Sequence, residues 1–264
     1  MIVVRRLGIT DYEDALARMR SHVAGRWEAG ETGKTGKTWG VGGVGEGARV
    51  RAAAPDEIWL TEHPPVYTLG FAGRREHLRE TGAIPIITTE RGGQVTYHGP
   101  GQVVAYLLLD LRRRKLGVRN LVCRLEAGII ECLAGYGIDA LRKPGAPGIY
   151  VQPRLNQAGL PGAEKADGLA KIASVGLKVS RGFTWHGVAL NGCMDLEPFG
   201  RIDPCGFPGL QMTDVCTETG TKAGTEAGVQ AGTEVGGAAT AGRAFDLDPL
   251  GDRLAAALVK SIEG

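Results

Sequence analysis

The chain has 264 residues, enough for one large domain or two small ones around a sizeable core. Its 31 Lys and Arg against 29 Asp and Glu leave a formal charge of +2, without the clustered positive charge that marks a nucleic-acid partner. The longest clean apolar run, residues 103–109, is far below the roughly 20 residues that span a bilayer, so no membrane association is expected. The opening Met-Ile-Val-Val-Arg-Arg reads as a first strand and lacks the longer apolar core of a signal peptide, which predicts a soluble, cytoplasmic protein.

Thr10 or Asp11 can cap a helix whose apolar stripe is Tyr12, Leu16, Met19 and Val23. Residues 24–55 are rich in Gly, Thr, Lys and Glu and have too few large apolar side chains to offset chain entropy, so they read as a flexible insertion. Gly33-Lys34-Thr35 and Gly36-Lys37-Thr38 inside it invite a phosphate-loop reading. That motif needs a glycine five residues earlier, where Glu28 and Glu31 stand, and the reading fails. Residues 58–60 form a strand stopped by His63-Pro64-Pro65, and residues 84–89 a second.

Arg91-Gly-Gly-Gln-Val-Thr-Tyr-His-Gly-Pro-Gly-Gln102 follows. Its four glycines allow a bound molecule to approach the backbone closely, so it reads as a substrate cradle before a buried central strand over 102–111. Arg112-Arg113-Arg114-Lys115 is a compact basic cluster, open to two readings: a dock for an acidic carrier protein or a solvated charge run. Apolar residues at 118, 121, 122, 125, 129, 132 and 133 trace a helix, with Cys132 on its core stripe and Cys123 off it.

Residues 171–179 have strand character. Counting by two places Lys171 with Ala173, Val175, Leu177 and Val179 on the apolar face, and Lys178 on the polar one. A buried lysine loses hydration of its charged form and becomes a candidate proton acceptor. A lysine whose stem packs while its ammonium reaches water is the other reading, and a bulge would break the count. His186 precedes a further strand, 187–191. Asp203-Pro204-Cys205-Gly206 is a turn whose prolines and glycines expose the intervening thiol. The other cysteines, 123, 132, 193 and 216, contain no CxxC pair. No zinc or other metal site is expected, and in a reducing compartment all five should be free thiols. Cys205 as a nucleophile needs an activating neighbour, for which Lys171, His186 and His98 remain open. Residues 217–243, where Ala-Gly-Thr-Glu recurs, read as a low-complexity insertion, and Asp248-Pro249 starts a closing helix. The order suits a single α+β catalytic domain over 1–264, with helices packed on a mixed sheet.

Six segments of the chain together resemble the octanoyltransferases of protein lipoylation. They are Glu62 to Thr68, Arg91 to Gln102, Pro147 to Val151, Lys171 to Gly176, His186 to Asn191 and Pro204 to Gly206. The resemblance implies the biotin/lipoate protein ligase-like catalytic domain. It also implies transfer of an octanoyl group from octanoyl-acyl carrier protein to a lysine of lipoyl domains, through an acyl-thioester. The acceptors would be the lipoyl domains of 2-oxoacid dehydrogenase complexes and the glycine cleavage H protein. No cofactor is implied. By the same resemblance Cys205 is the acyl-carrying nucleophile and Lys171 the residue that activates it. The resemblance implies that Arg91, Gly92, Gly93, Gln94, Val95, Thr96, Tyr97, His98, Ser174, Val175, Gly176, Gly187, Val188 and Ala189 contact the acyl substrate. The chain departs from the family in its 24–55 and 217–243 segments and in a longer connection over 152–170. An ATP-dependent ligase on the same fold and a non-catalytic acyl- or lipoyl-domain-binding protein are the rival readings.

Overall fold

The structure, a computed structural model, describes residues 1–32, 54–153, 168–221 and 247–264. In chain order its strands and helices are β1 (Ile2–Ile9), α1 (Tyr12–Thr32), β2 (Asp56–Glu62), β3 (Val66–Leu69), β4 (Ile86–Thr88), β5 (Val95–His98), β6 (Gln102–Leu108), α2 (Val118–Ala134), β7 (Ala140–Lys143), β8 (Ala146–Val151), β9 (Ala170–Ser180), β10 (Phe183–Asn191), β11 (Gln211–Met212), α3 (Val215–Thr219) and α4 (Leu247–Glu263). The main sheet runs β1-β2-β6-β10-β9-β8-β7, with β11 added to β9. Strands β1 and β2, like β9 and β11, pair in parallel and the remaining ladders of this sheet are antiparallel, so the mixed α+β architecture holds. A second sheet, β4-β3-β5, carries the glycine-rich loop.

Strand β6 is buried along its whole length because both faces are covered. Val103, Ala105 and Leu107 face a core shared with Leu121, Leu125 and Ile129 of α2 and Leu250, Leu254 and Leu258 of α4. Val104, Tyr106 and Leu108 face the stripe of α1, which Asp11 caps by accepting the Glu13 N–H at 2.8 Å. Helix α1 runs through residue 32, so the insertion expected at 24–55 does not begin at residue 24, and α3 occupies the first residues of 217–243. Residues 33–53, most of the 152–170 connection and 222–246 lie outside the described residues, as do both Gly-Lys-Thr triplets.

One further expectation needs correction. Cys193 and Cys216 are joined in a disulfide, their Cα atoms 5.1 Å apart, and only Cys123, Cys132 and Cys205 are free. Strand β10 and α3 place these two side by side, where the Cys216 N–H donates to Gly192 O, a pairing that compartment and spacing do not reveal. The basic cluster is partly engaged within the fold and partly exposed. Arg113 and Arg114 both donate to the buried carboxylate of Asp56, and the Arg112 guanidinium lies 5.1 Å from the Phe183 ring centroid. No helix among the described residues is long and apolar enough to cross a membrane.

Candidate active site

Lys171 and Cys205, 34 residues apart, meet because β11 pairs with the start of β9. Met212 lies opposite Lys171, and the Thr213 N–H donates to the Lys171 carbonyl at 3.0 Å. This fastens the end of the loop that carries Cys205 to the backbone of the lysine itself. The Lys171 ammonium donates to Cys205 Sγ at 3.1 Å and to the Pro147 carbonyl at 2.8 Å, and sits 5.3 Å from the centroid of the Tyr150 ring. Lys171 is 1% exposed.

Its burial has a different cause from the one strand parity supplies. Against β8 the register passes from Ile149↔Ala173 to Tyr150↔Lys171, so β9 holds one extra residue, Ile172. Ala170, Ile172 and Ala173 pack in the helix-covered core, while Lys171 faces Cys205 on the other side. Gly148, at φ +125°, lies against the lysine stem. A Cβ there would stand 2.5 Å from Lys171 Cε and 2.6 Å from the Ala173 carbonyl oxygen. Buried Glu126 of α2 holds this glycine by accepting its N–H at 3.1 Å.

Cys205 occupies the left-handed region, φ +56° and ψ 18°, inside the turn Pro204–Gly206. For a non-glycine residue that conformation costs on the order of 1 kcal/mol or more and persists only where surroundings enforce it. Here Gly206 N–H donates to the Asp203 carbonyl, Phe207 N–H to that of Pro204, and Asp203 N–H to that of His77, while Arg79 pairs with the Asp203 carboxylate.

The thiol opens on a cavity of about 390 Å³. Every residue that the resemblance assigns to the acyl substrate lines it except Tyr97. Alternation along β5 sends Tyr97 into a separate cluster with Tyr67 and Phe199, while Thr96 and His98 remain on the cavity. Arg91 is a buried builder of the loop. Its guanidinium donates to the carbonyls of Thr68, Gln94 and Gly92 and to Thr68 Oγ1. The Gly92 N–H is taken by the Leu177 carbonyl at 2.9 Å and so is not free to hold an oxyanion. Sequence reasoning missed Tyr12, Val104, Tyr106, Val118 and Phe207 as lining residues. Tyr12 and Val118 carry only the signal of a core helix stripe.

Of the three candidate activators, only Lys171 is in contact with the Cys205 sulfur. His98 donates from Nδ1 to Gln102 Oε1 at 2.7 Å when its Nε2 faces the Thr68 hydroxyl, and His186 Nε2 lies 3.3 Å from Thr89 Oγ1. Burial pushes both imidazoles down to about 3. Both are neutral near pH 7 and bonded elsewhere, whereas Lys171 touches the sulfur. A histidine whose folded value is depressed binds its proton in the unfolded chain first, so the folded state loses stability as pH falls below about 6.5. Melting curves from pH 7.5 to 5 should therefore drop with acid, by up to about 1.4 kcal/mol per pH unit per histidine. His186→Asn should flatten the slope. Among the described residues no group of three or more His, Cys, Asp or Glu is arranged to hold a metal ion.

The lipoyl protein ligase A/B catalytic domain matches residues 48–232. The octanoyltransferase of Thiobacillus denitrificans is 46% identical over 219 residues, 83% of this chain and 82% of that protein. That of Paraburkholderia phymatum is 43% identical across the whole chain and 83% of its own length. In fold, the chain is similar to a bipartite lipoate protein ligase of Thermoplasma acidophilum, with a TM-score of 0.53, 13% identity, and coverage of 100% of this chain and 85% of that one. A lipoate-protein ligase A bound with ATP gives a TM-score of 0.53 at 13% identity, covering 99% and 85%.

Proposed function

This chain belongs to the lipoyl protein ligase A/B catalytic-domain family and is an octanoyltransferase, and from that premise we propose that it moves the octanoyl group from octanoyl-acyl carrier protein to a lysine of a lipoyl domain, in the cytoplasm, through an octanoyl-Cys205 thioester. The observation that carries the reading is the 3.1 Å contact between the buried Lys171 ammonium and Cys205 Sγ at the cavity. A positive charge held at that distance in a poorly hydrated site stabilises the sulfur anion, which is the attacking form.

In the proposed sequence the Cys205 thiolate attacks the thioester carbonyl, and collapse of the tetrahedral adduct breaks the bond to the carrier sulfur. That sulfur leaves with a proton from Lys171, now a neutral amine. The acceptor ammonium then gives one proton to Lys171 and attacks the octanoyl-Cys205 carbonyl as an amine. Loss of its second proton to solvent and expulsion of the Cys205 thiolate leave an N-octanoyl amide and regenerate the ion pair. Amide formation from a thioester is downhill, so the cycle needs no nucleotide.

Intact-mass measurement after mixing the protein with octanoyl-acyl carrier protein, without ATP, tests this. The expected result is one octanoyl adduct that disappears when an octanoylatable lipoyl domain is added, and that Cys205→Ser never forms. Transfer that requires ATP, or an adduct that persists in Cys205→Ser, would refute the pathway. The T. acidophilum ligase was solved in work on a lipoylation system that included its E2 lipoyl domain, which supports lipoyl domains as the acceptor class.

A further inference from the structure

Two rungs of the sheet pave the cavity. One runs Ser174–Ala189–Val104 and the other Gly176–Gly187–Tyr106, each crossing β9, β10 and β6 in register. Side chains along both rungs are small on β9 and β10 and become large on β6, so the floor is low beside the thiol and rises two strands away. Exposure of the lining falls in the same direction. Phe207, two residues from Cys205, is 45% exposed, whereas Tyr106 is 3% and Tyr12 is 2% exposed. The cavity is thus open at the nucleophile and blind at β6, where Tyr12 of α1 joins Val104 and Tyr106.

The blind end is braced. Tyr12 stacks on His98 at 5.7 Å between ring centroids and meets the His63 ring edge-on at 5.1 Å. His63 donates from Nδ1 to the Thr10 carbonyl at 2.6 Å, which leaves Nε2 to accept the Tyr106 hydroxyl, also at 2.6 Å. With its hydroxyl held by His63, Tyr106 is fixed beside Tyr12, and neither ring can swing aside without breaking this packing.

From β9 to β6 is two interstrand steps, about 10 Å. A straight eight-carbon acyl chain covers roughly 9 Å from carbonyl to methyl, as seven zigzag C–C bonds of about 1.5 Å. Building on the octanoyl-transfer reading, we propose that Tyr12, standing over Val104 and Tyr106, is the end stop that limits the acyl chain to about eight carbons.

The test is competition among acyl carrier proteins loaded with 6-, 8-, 10- and 12-carbon chains, read as the mass distribution on Cys205. The wild-type protein should select the 8-carbon chain. Tyr12→Ala should raise the 12- to 8-carbon ratio at least tenfold, because each methylene newly admitted to an apolar space is worth about fourfold. Val104→Phe raises the floor from the opposite side and should shift selection toward 6 carbons, which keeps the test decisive if Tyr12→Ala folds poorly. Wild-type labelling by the 8-carbon chain with unchanged ratios in both variants would overturn the end stop and leave the acyl-thioester pathway standing. Absence of any wild-type adduct would overturn both.

Discussion

Lys171→Met should slow formation of the octanoyl-Cys205 adduct by about 10²- to 10⁴-fold, the range associated with loss of one positioned proton-transfer group. Methionine keeps an unbranched, apolar stem in the slot beneath Gly148, where a branched replacement would press on a backbone that already lies against Lys171 Cε. What it removes is the charge 3.1 Å from the sulfur. The melting temperature should hold or rise, since a buried ammonium with few partners is costly and an apolar isostere is often neutral or stabilising. A merely structural lysine predicts the reverse, lower stability with near-normal acylation. The pH dependence separates the two further. In the variant, acylation should depend more steeply on pH than in the wild type, because no cation stands beside the sulfur. A flat profile at wild-type rate would remove Lys171 from the reaction.

Much of this site was legible before the fold was known, and the exceptions share a cause. Cys205 announced itself because proline and glycine on both sides leave little choice but a turn, and the structure adds the left-handed φ. Strand parity points Lys171 to a buried face for a reason that does not hold, since the extra residue at Ile172 reverses the parity. A bulge is set by pairing between strands and leaves no mark in the bulged strand's own composition. Tyr12 illustrates a second limit. A helix stripe that packs on a sheet and one that closes a ligand cavity have the same 3.6-residue period, and only the low floor of Ser174, Gly176, Gly187 and Ala189 separates them. The central strand β6 and helix α2 are legible because long, strongly patterned segments are decided locally, and the strand expected at 84–89 contains β4, whereas its partners β3 and β5 are four residues each and fixed by tertiary pairing.

The arginines after β6 show how composition misleads about charge, and they carry the second large effect. Asp56 is fully buried at the start of β2. It accepts Arg26 Nη2 at 2.8 Å, Arg113 Nη2 at 2.7 Å, Arg114 Nε at 2.5 Å and the Asp110 N–H at 2.9 Å. Burial alone would raise its carboxyl, but the hydrogen bonds from Arg26, the Asp110 N–H and Arg114 outweigh that and hold it below the usual carboxylate range. Asp56→Asn leaves three guanidiniums around a neutral amide and should cost roughly 3 kcal/mol, the lower end for a broken buried ion pair because Arg113 is partly exposed. For a chain of this size that lowers the melting temperature by about 10 °C. The sign with pH follows from the depressed carboxyl: its contribution is present above about pH 4 and lost as pH falls through the folded value. Glu90, held down to about 2 first by its hydrogen bond from Arg20, adds a loss of the same sign. Asp56→Asn should therefore show a shallower acid limb below pH 4 than the wild type, read by thermal melts at pH 5, 4 and 3. An acidic carrier docked on Arg113 and Arg114 predicts something else for Arg113→Ala: intact stability with acylation that weakens and loses its salt dependence. Since both arginines already serve Asp56, Arg113→Ala should lower stability and leave the salt dependence of acylation as it was.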